Sequence, residues 1–181
     1  MLNSPFHKLP KSSEKRLTIV SLTFLIGFIV LMRFFDAPLK NETSPNGIVS
    51  FELAKALSKS EAIINAWDEV AIGFAKNSVM VDFLFLAVYS FFISLIVHRL
   101  NNRVWKKGFV YQFGKIVSWL VFVAAFFDVI ENIALIRLIY GDLHQLWSSI
   151  AYYFAVMKFI LLAVGILFVL ISLIALPFKR S

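Results

Sequence analysis

There is no cysteine among the 181 residues. Disulfides, thiolate metal centres and cysteine nucleophiles are therefore excluded. Charge is also scarce: Asp, Glu, Lys and Arg make up 16% of the chain, against about 25% in ordinary soluble domains. The three histidines, His7, His98 and His144, have no metal-ligand spacing, and all three read as solvated or interfacial residues. No His-Glu-x-x-His, Gly-x-Ser-x-Gly or phosphate-loop pattern is present. Ser90 and Ser94 have no histidine in the outer half of their apolar run to act as a base, so they read as helix-packing residues. No internal repeat of the kind that marks many transporters is visible.

What fills the chain instead is apolar. Hydrophobic residues make up 60%, with twenty phenylalanines and a mean hydropathy of +0.81. A soluble protein of this size would have more apolar surface than it could bury, and a disordered chain is polar by composition. The class is a multi-pass membrane protein. The net charge of +7 sits mainly at the ends of apolar runs, which is the positive-inside pattern. No basic stripe with interleaved aromatics remains for nucleic acid.

A span needs about 20 mostly apolar residues. Four stretches qualify, at about 17–35, 79–97, 116–136 and 149–176. The last ends at Pro177, which cannot continue a helix. The first follows Lys8, Lys11, Lys15 and Arg16, but it is longer than a signal-peptide core and no small-x-small site follows, so it reads as a retained signal-anchor. Orientation follows from Lys and Arg. The segment 1–16 is a basic tail, the connector after span two carries Arg99, Arg103, Lys106, Lys107 and Lys115, and the end 179–181 carries Lys179 and Arg180. The connector 36–78 holds four lysines against six carboxylates. Both termini are expected in the cytoplasm of a bacterial inner membrane or other plasma membrane, with residues 17–178 forming a single membrane domain. Trp147, Tyr140, Tyr152 and Tyr153 suit an outer aromatic belt, and Trp105 and Tyr111 an inner one.

The connector 36–78 is too long to be structureless in so compact a chain. Ser44-Pro45-Asn46-Gly47 marks a turn. Helical patterns follow at Ile48–Leu57 and at Glu61–Lys76, the second with Ser60 as N-cap. Ile63, Ile64, Trp67, Val70, Ala71 and Phe74 form its apolar stripe. An amphipathic helix on the extracytoplasmic side is expected, serving as a cap or as a substrate lid. Asn41-Glu42-Thr43 is a glycosylation triplet on that side, meaningful only in a cell that glycosylates. The expected fold is therefore an all-α integral membrane four-helix bundle with an extracytoplasmic amphipathic helical segment between spans one and two.

Ionisable residues inside a span cost about 2.5–3.5 kcal/mol each at the helix centre and need a partner or a wet cavity. Span two holds Asp82, span three holds Asp128, Glu131 and Asn132, and span four holds Lys158. Asp128 and Lys158 each lie roughly 13–15 Å below the outer end of their helix at the α-helical rise, so they share a level, and Tyr89 reaches the same level from span two. Asp128, Glu131 and Asn132 share one helical face. Gly114, Ser118 and Ala125 extend that face, and Ala151, Ala155, Gly165 and Ser172 line the Lys158 face. Small residues mark helix–helix contacts in lipid. Arg33, Asp36 and Glu52 stand at the outer rim.

Three arrangements fit this cluster. One is an interhelical salt bridge from Lys158 to Asp128 or Glu131. Another is an outward-opening polar pocket for a small molecule, a lipid or a proton, since carboxylates outnumber cations. The last is a hard-cation site on Asp82, Asp128, Glu131 and Asn132; Lys158 stands against it, and no metal or cofactor is assigned. The leading function is a binding or conducting protein that uses Asp82, Tyr89, Asp128, Glu131, Asn132 and Lys158. The alternatives are a lipid-directed enzyme with Asp128 or Glu131 as acid–base, and a structural subunit. The expected partners are the bilayer, a lipid or small-molecule ligand, and a second copy of the chain, with no nucleic acid.

Overall fold

A computed structural model describes residues 2–179, so Met1, Arg180 and Ser181, with the Arg180 part of the orientation argument, lie outside the described residues. Among the described residues the regular structure is entirely helical. Six α-helices run as α1 (Lys11–Asp36), α2 (Ile48–Glu52), α3 (Leu57–Ala66), α4 (Glu69–Leu100), α5 (Phe109–Ile139) and α6 (Gln145–Ala175). Four of these segments, α1, α4, α5 and α6 with their short extensions, are long and apolar enough to cross a membrane.

Local chemistry sets the helix ends. α1 gives way to a short 3₁₀ turn, Ala37–Leu39, because Pro38 has no N–H with which to continue the α-helical ladder. Hydroxyls inside it stay satisfied: Thr18 and Ser21 each donate to a carbonyl four residues back, at 2.7 Å. α5 ends in a Schellman arrangement. Gly141, at φ +92°, donates to Leu138 O at 3.0 Å, and Asp142 N donates to Arg137 O at 2.9 Å. α6 ends two residues before Pro177.

The chain packs as two compact units. The first comprises Met1–Leu25, Ala87–Ala125 and Phe159–Ser181, and the second Ile26–Leu86 and Phe126–Lys158. In the first unit Val97, Val117 and Phe168 form the buried centre. Ser94 and Ser118 exchange hydrogen bonds there: Ser94 Oγ donates to Ser118 O at 2.6 Å, and Ser118 Oγ donates to Ser94 O at 3.0 Å. The residues ahead of α1 fold against this unit. Trp119 Nε1 donates to Asn3 O at 2.9 Å, and the Phe6 ring lies 5.3 Å from Phe91 and 6.3 Å from Phe122.

The second unit has the larger core, with Leu39, Phe51, Ile63, Trp67, Val79, Leu135 and Leu138 buried together. The connector 36–78 is part of it. Leu57 N donates to Gln145 Oε1 at 2.8 Å, Gln145 Nε2 donates to Lys55 O at 2.9 Å, and the Ser60 and Ser148 hydroxyls bond at 2.9 Å. Asp36 Oδ1 accepts the Ile48 N–H at 2.8 Å and so fixes the start of α2.

The helical patterns of the connector need correction. The first expected helix, Ile48–Leu57, ends at Glu52, and Lys55 turns the chain at φ +61°. The expected Glu61–Lys76 helix is two helices. α3 begins at Leu57 with Ala56 at its cap position, and Ser60 lies buried inside it. The chain then breaks at Trp67, which is extended at φ −90°, ψ 128°. Two interactions favour the break. Trp67 Nε1 donates to Leu39 O at 2.9 Å, and Asp68 Oδ1 accepts the Ala71 N–H at 2.7 Å, which makes Asp68 the N-cap of α4. Val70, assigned to the apolar stripe, is 65% exposed, while Ile63, Trp67 and Ala71 are buried.

Candidate functional site

The second unit gathers ionisable groups from four elements around one ammonium. Lys158, on α6, lies 2.9 Å from Asp128 Oδ1 and 2.7 Å from Glu131 Oε2, both on α5. Its third carboxyl neighbour is Glu52 Oε2 of α2, at 3.6 Å. Asp128 and Glu131 stand three residues apart on α5, which puts both on the face that meets Lys158. Asn132, one residue on, donates from Nδ2 to Asp82 Oδ2 of α4 at 2.6 Å. Asp82 also lies within electrostatic reach of Asp128, Lys158 and Glu52.

These groups are shielded. Glu131 is fully buried, Asp128 and Asn132 nearly so, and Lys158 and Glu52 are 6% and 9% exposed. The hydrogen bonding is uneven. Lys158 Nζ donates to Asp128 Oδ1, whereas neither oxygen of Glu131 has a hydrogen bond among the described residues, although Oε2 is at ion-pair distance from Lys158. Glu52 Oε2 is in the same position. Four carboxyl groups therefore face one lysine.

The sequence-derived residues fall into three sets. Asp82, Asp128, Glu131, Asn132 and Lys158 come together as described, and Lys158 meets both of its expected partners rather than one. Glu52, placed at the rim by the sequence reading, touches Lys158; α2 carries it inward because Phe51 beside it is anchored 5.4 Å from the Trp67 ring. Its signal in the sequence is a lone acid inside the apolar run Phe51-Glu52-Leu53-Ala54. Tyr89 is buried but belongs to the first unit. Asp36, placed at the outer rim by the sequence reading, caps Ile48 with its carboxylate and pairs with Lys40 at 3.1 Å. Arg33 is exposed.

One histidine also needs correction. His98, expected to be solvated or interfacial, is 5% exposed, with Nδ1 bonded to Ser4 Oγ and Nε2 lying 3.6 Å from Glu14 Oε1. The chain ahead of α1 folds over it, and a sequence reading that takes residues 1–16 as a tail has no signal for that. Ser90 and Ser94 are buried and bonded to main-chain carbonyls, Ala87 O and Ser118 O respectively. Among the described residues no group of His, Asp and Glu has the geometry to hold a metal ion. No protein-family model, curated protein or solved structure matches the chain.

Proposed function

We propose that the chain is a multi-pass membrane protein whose buried carboxylate–lysine cluster holds and passes on a proton. Membrane insertion is supported by the outer surfaces of the long helices. In the most apolar stretch of α1 only 6% of the residues are buried, and Phe24, Ile26, Val30 and Phe34 are all exposed. In water such a surface would be a liability, and in lipid it is the solvated face. Placement of the termini in the cytoplasm and of the connector 36–78 on the opposite side rests on the basic residues of the N-terminal segment and of the connector after α4. A reporter inserted at Asn46 and another fused after Ser181 must then lie on opposite sides; same-side reporters refute that topology.

The observation that carries the proton reading is the ratio of four buried or half-buried carboxyl groups to one ammonium. Fully ionised, the set would hold three uncompensated negative charges in a low-dielectric interior, where an isolated charge is neutralised rather than tolerated. Shared protons restore the balance. The spacings of 2.7–3.6 Å from Lys158 to Glu131, Asp128 and Glu52 are those of groups that exchange protons directly or through one water. Glu131 is the natural carrier, since its carboxyl is fully buried and its Oε2 makes the shortest ion-pair contact with the Lys158 ammonium, at 2.7 Å.

Infrared spectroscopy of the protein in lipid tests this directly. A protonated-carboxyl carbonyl band is expected at neutral pH, shifting in heavy water and lost or halved in Glu131→Gln. Absence of that band at every pH at which the fold persists overturns the reading. A second reading, in which the cluster only fastens helices, draws support from the hydrogen bond between Lys158 and Asp128. It predicts that neutral substitutions which restore stability leave every other property intact.

A further inference from the structure

We infer that the first unit binds an anionic phospholipid, with its phosphate in a polar cavity beside His98 and one acyl chain in an apolar groove between α1 and α4. The inference uses the membrane reading above but not the proton reading. The cavity is about 250 Å³, and all but one of its lining side chains are polar. Lys11, Glu14, His98, Asn102 and Lys115 are among them, together with Ser4.

Its charge is positive where a ligand would sit. Among the described residues Glu14 supplies the only carboxylate of the lining, and that carboxylate is already engaged: Arg99 Nε lies 3.7 Å from Oε2 and His98 Nε2 lies 3.6 Å from Oε1. Lys115 has neutral company, with Nζ 3.4 Å from Gln112 Oε1 and 4.5 Å from the centre of the Tyr111 ring. Lys11 is exposed at the start of α1. Among the described residues, two ammonium groups therefore face the cavity without a carboxylate of their own.

The buried histidine adds polar partners. His98 Nδ1 bonds Ser4 Oγ, and Nε2 lies 3.0 Å from Asn102 Nδ2 and 3.6 Å from Glu14 Oε1. Hydroxyl and amide groups therefore stand beside the two ammoniums, a set that suits a phosphate group.

The groove decides between a lipid and free phosphate. It encloses about 300 Å³ and is walled by Leu17, Val20 and Phe24 of α1 and by Val88 and Phe91 of α4. Its single hydroxyl, on Ser21, is satisfied by Leu17 O at 2.7 Å. Leu17 lies one turn along α1 from Glu14, and Phe91 lies two turns along α4 from His98. At the helical rise the groove extends from about 5 to 15 Å beyond the cavity. A charged recess continued by an apolar channel along the same two helices matches a phosphate headgroup and the upper part of its chain.

Native mass spectrometry in mild detergent, with dioleoyl phosphatidic acid titrated against dioleoyl phosphatidylcholine, tests the site. The full chain should prefer phosphatidic acid. Lys11→Met with Lys115→Met should weaken that binding by about tenfold or more, the corresponding double arginine variant should keep it, and Val20→Trp, which fills the groove, should weaken it while both lysines remain. Each variant is first shown to keep the wild-type helical circular dichroism. Equal binding of the two lipids, or unchanged affinity in the folded double methionine variant, overturns the proposal. So does inorganic phosphate that displaces the lipid at equal concentration, which would assign the cavity to the free ion. Vesicle flotation separates the two failures: a chain that does not float refutes the membrane reading, and one that floats without selectivity refutes only this site.

Discussion

Replacing Lys158 with Met removes the ammonium that three carboxyl groups face at 2.7, 2.9 and 3.6 Å while keeping most of the side-chain volume. At an effective dielectric of about 20, each of the two shorter contacts is an attraction of about 5–6 kcal/mol. Most of that is offset by the cost of taking the ions out of water, so the intact cluster contributes little net stability. Its one-sided removal is another matter. Breaking a buried pair leaves uncompensated charge and typically costs about 3–5 kcal/mol. Proton uptake by the orphaned carboxyls limits the damage, which places the expected loss near the lower end, about 3 kcal/mol.

The assay is unfolding by SDS in mixed micelles, followed by circular dichroism. The informative companion is the triple variant Lys158→Met, Asp128→Asn, Glu131→Gln, which removes the cation and two of its acids together. Its stability should return to within about 1 kcal/mol of the wild type, because removing the cation with its two nearest acids leaves far less uncompensated charge than removing the cation alone, and Glu52 and Asp82 can take up protons. A single Lys158→Met loss below about 1 kcal/mol would refute the electrostatic account. Equal losses in the single and triple variants would assign the effect to packing. The triple variant also separates the two functional readings, since a fastener is replaced without loss whereas a proton carrier is not.

Two further predictions concern the connector. Gly47→Ala should destabilise the second unit by about 2–3 kcal/mol in the same assay, because Gly47 sits at φ +58° and a Cβ there would lie 2.0 Å from Asp36 Oδ1, the atom that accepts the Ile48 N–H; a loss under about 0.5 kcal/mol would refute that account. Asp68→Ala should cost about 1 kcal/mol and speed amide exchange at Ala71, and unchanged protection there would show that the α4 N-cap contributes nothing.

The long helices are legible because their signals are redundant: apolar length, the stop at Pro177, and the Asn132–Glu131–Asp128 face each point the same way. The meeting of Lys158 with Asp128 is readable from equal distances to the outer helix ends, since depth along a helix is a local quantity. The break at Trp67 is not. Periodicity through Ile63, Trp67 and Phe74 describes one helix, and only a long-range bond from the indole to Leu39 O together with the Asp68 cap makes two. His98 escaped for the same reason. Its burial depends on Ser4 and Phe6, residues more than ninety positions away, and no window along the chain spans that separation.

Glu52 changes the meaning of the cluster most. A salt bridge that only fastens helices needs one acid for one base, and Asp128 already supplies it with a hydrogen bond at 2.9 Å. Glu131 on the same helix face could be an accident of neighbouring sequence. Glu52 is not a neighbour in sequence of either. It arrives on α2, a five-residue helix, held by the Asp36 cap on one side and by Phe51 against Trp67 on the other. Bringing a third carboxyl to 3.6 Å of an ammonium that has two already adds desolvation cost and like-charge repulsion, and in a fastener it would weaken the joint. A chain that builds a separate element to place that acid gains nothing in stability unless the extra carboxyl accepts a proton or a cationic group. The surplus of acid, rather than the presence of a salt bridge, is what argues for function here.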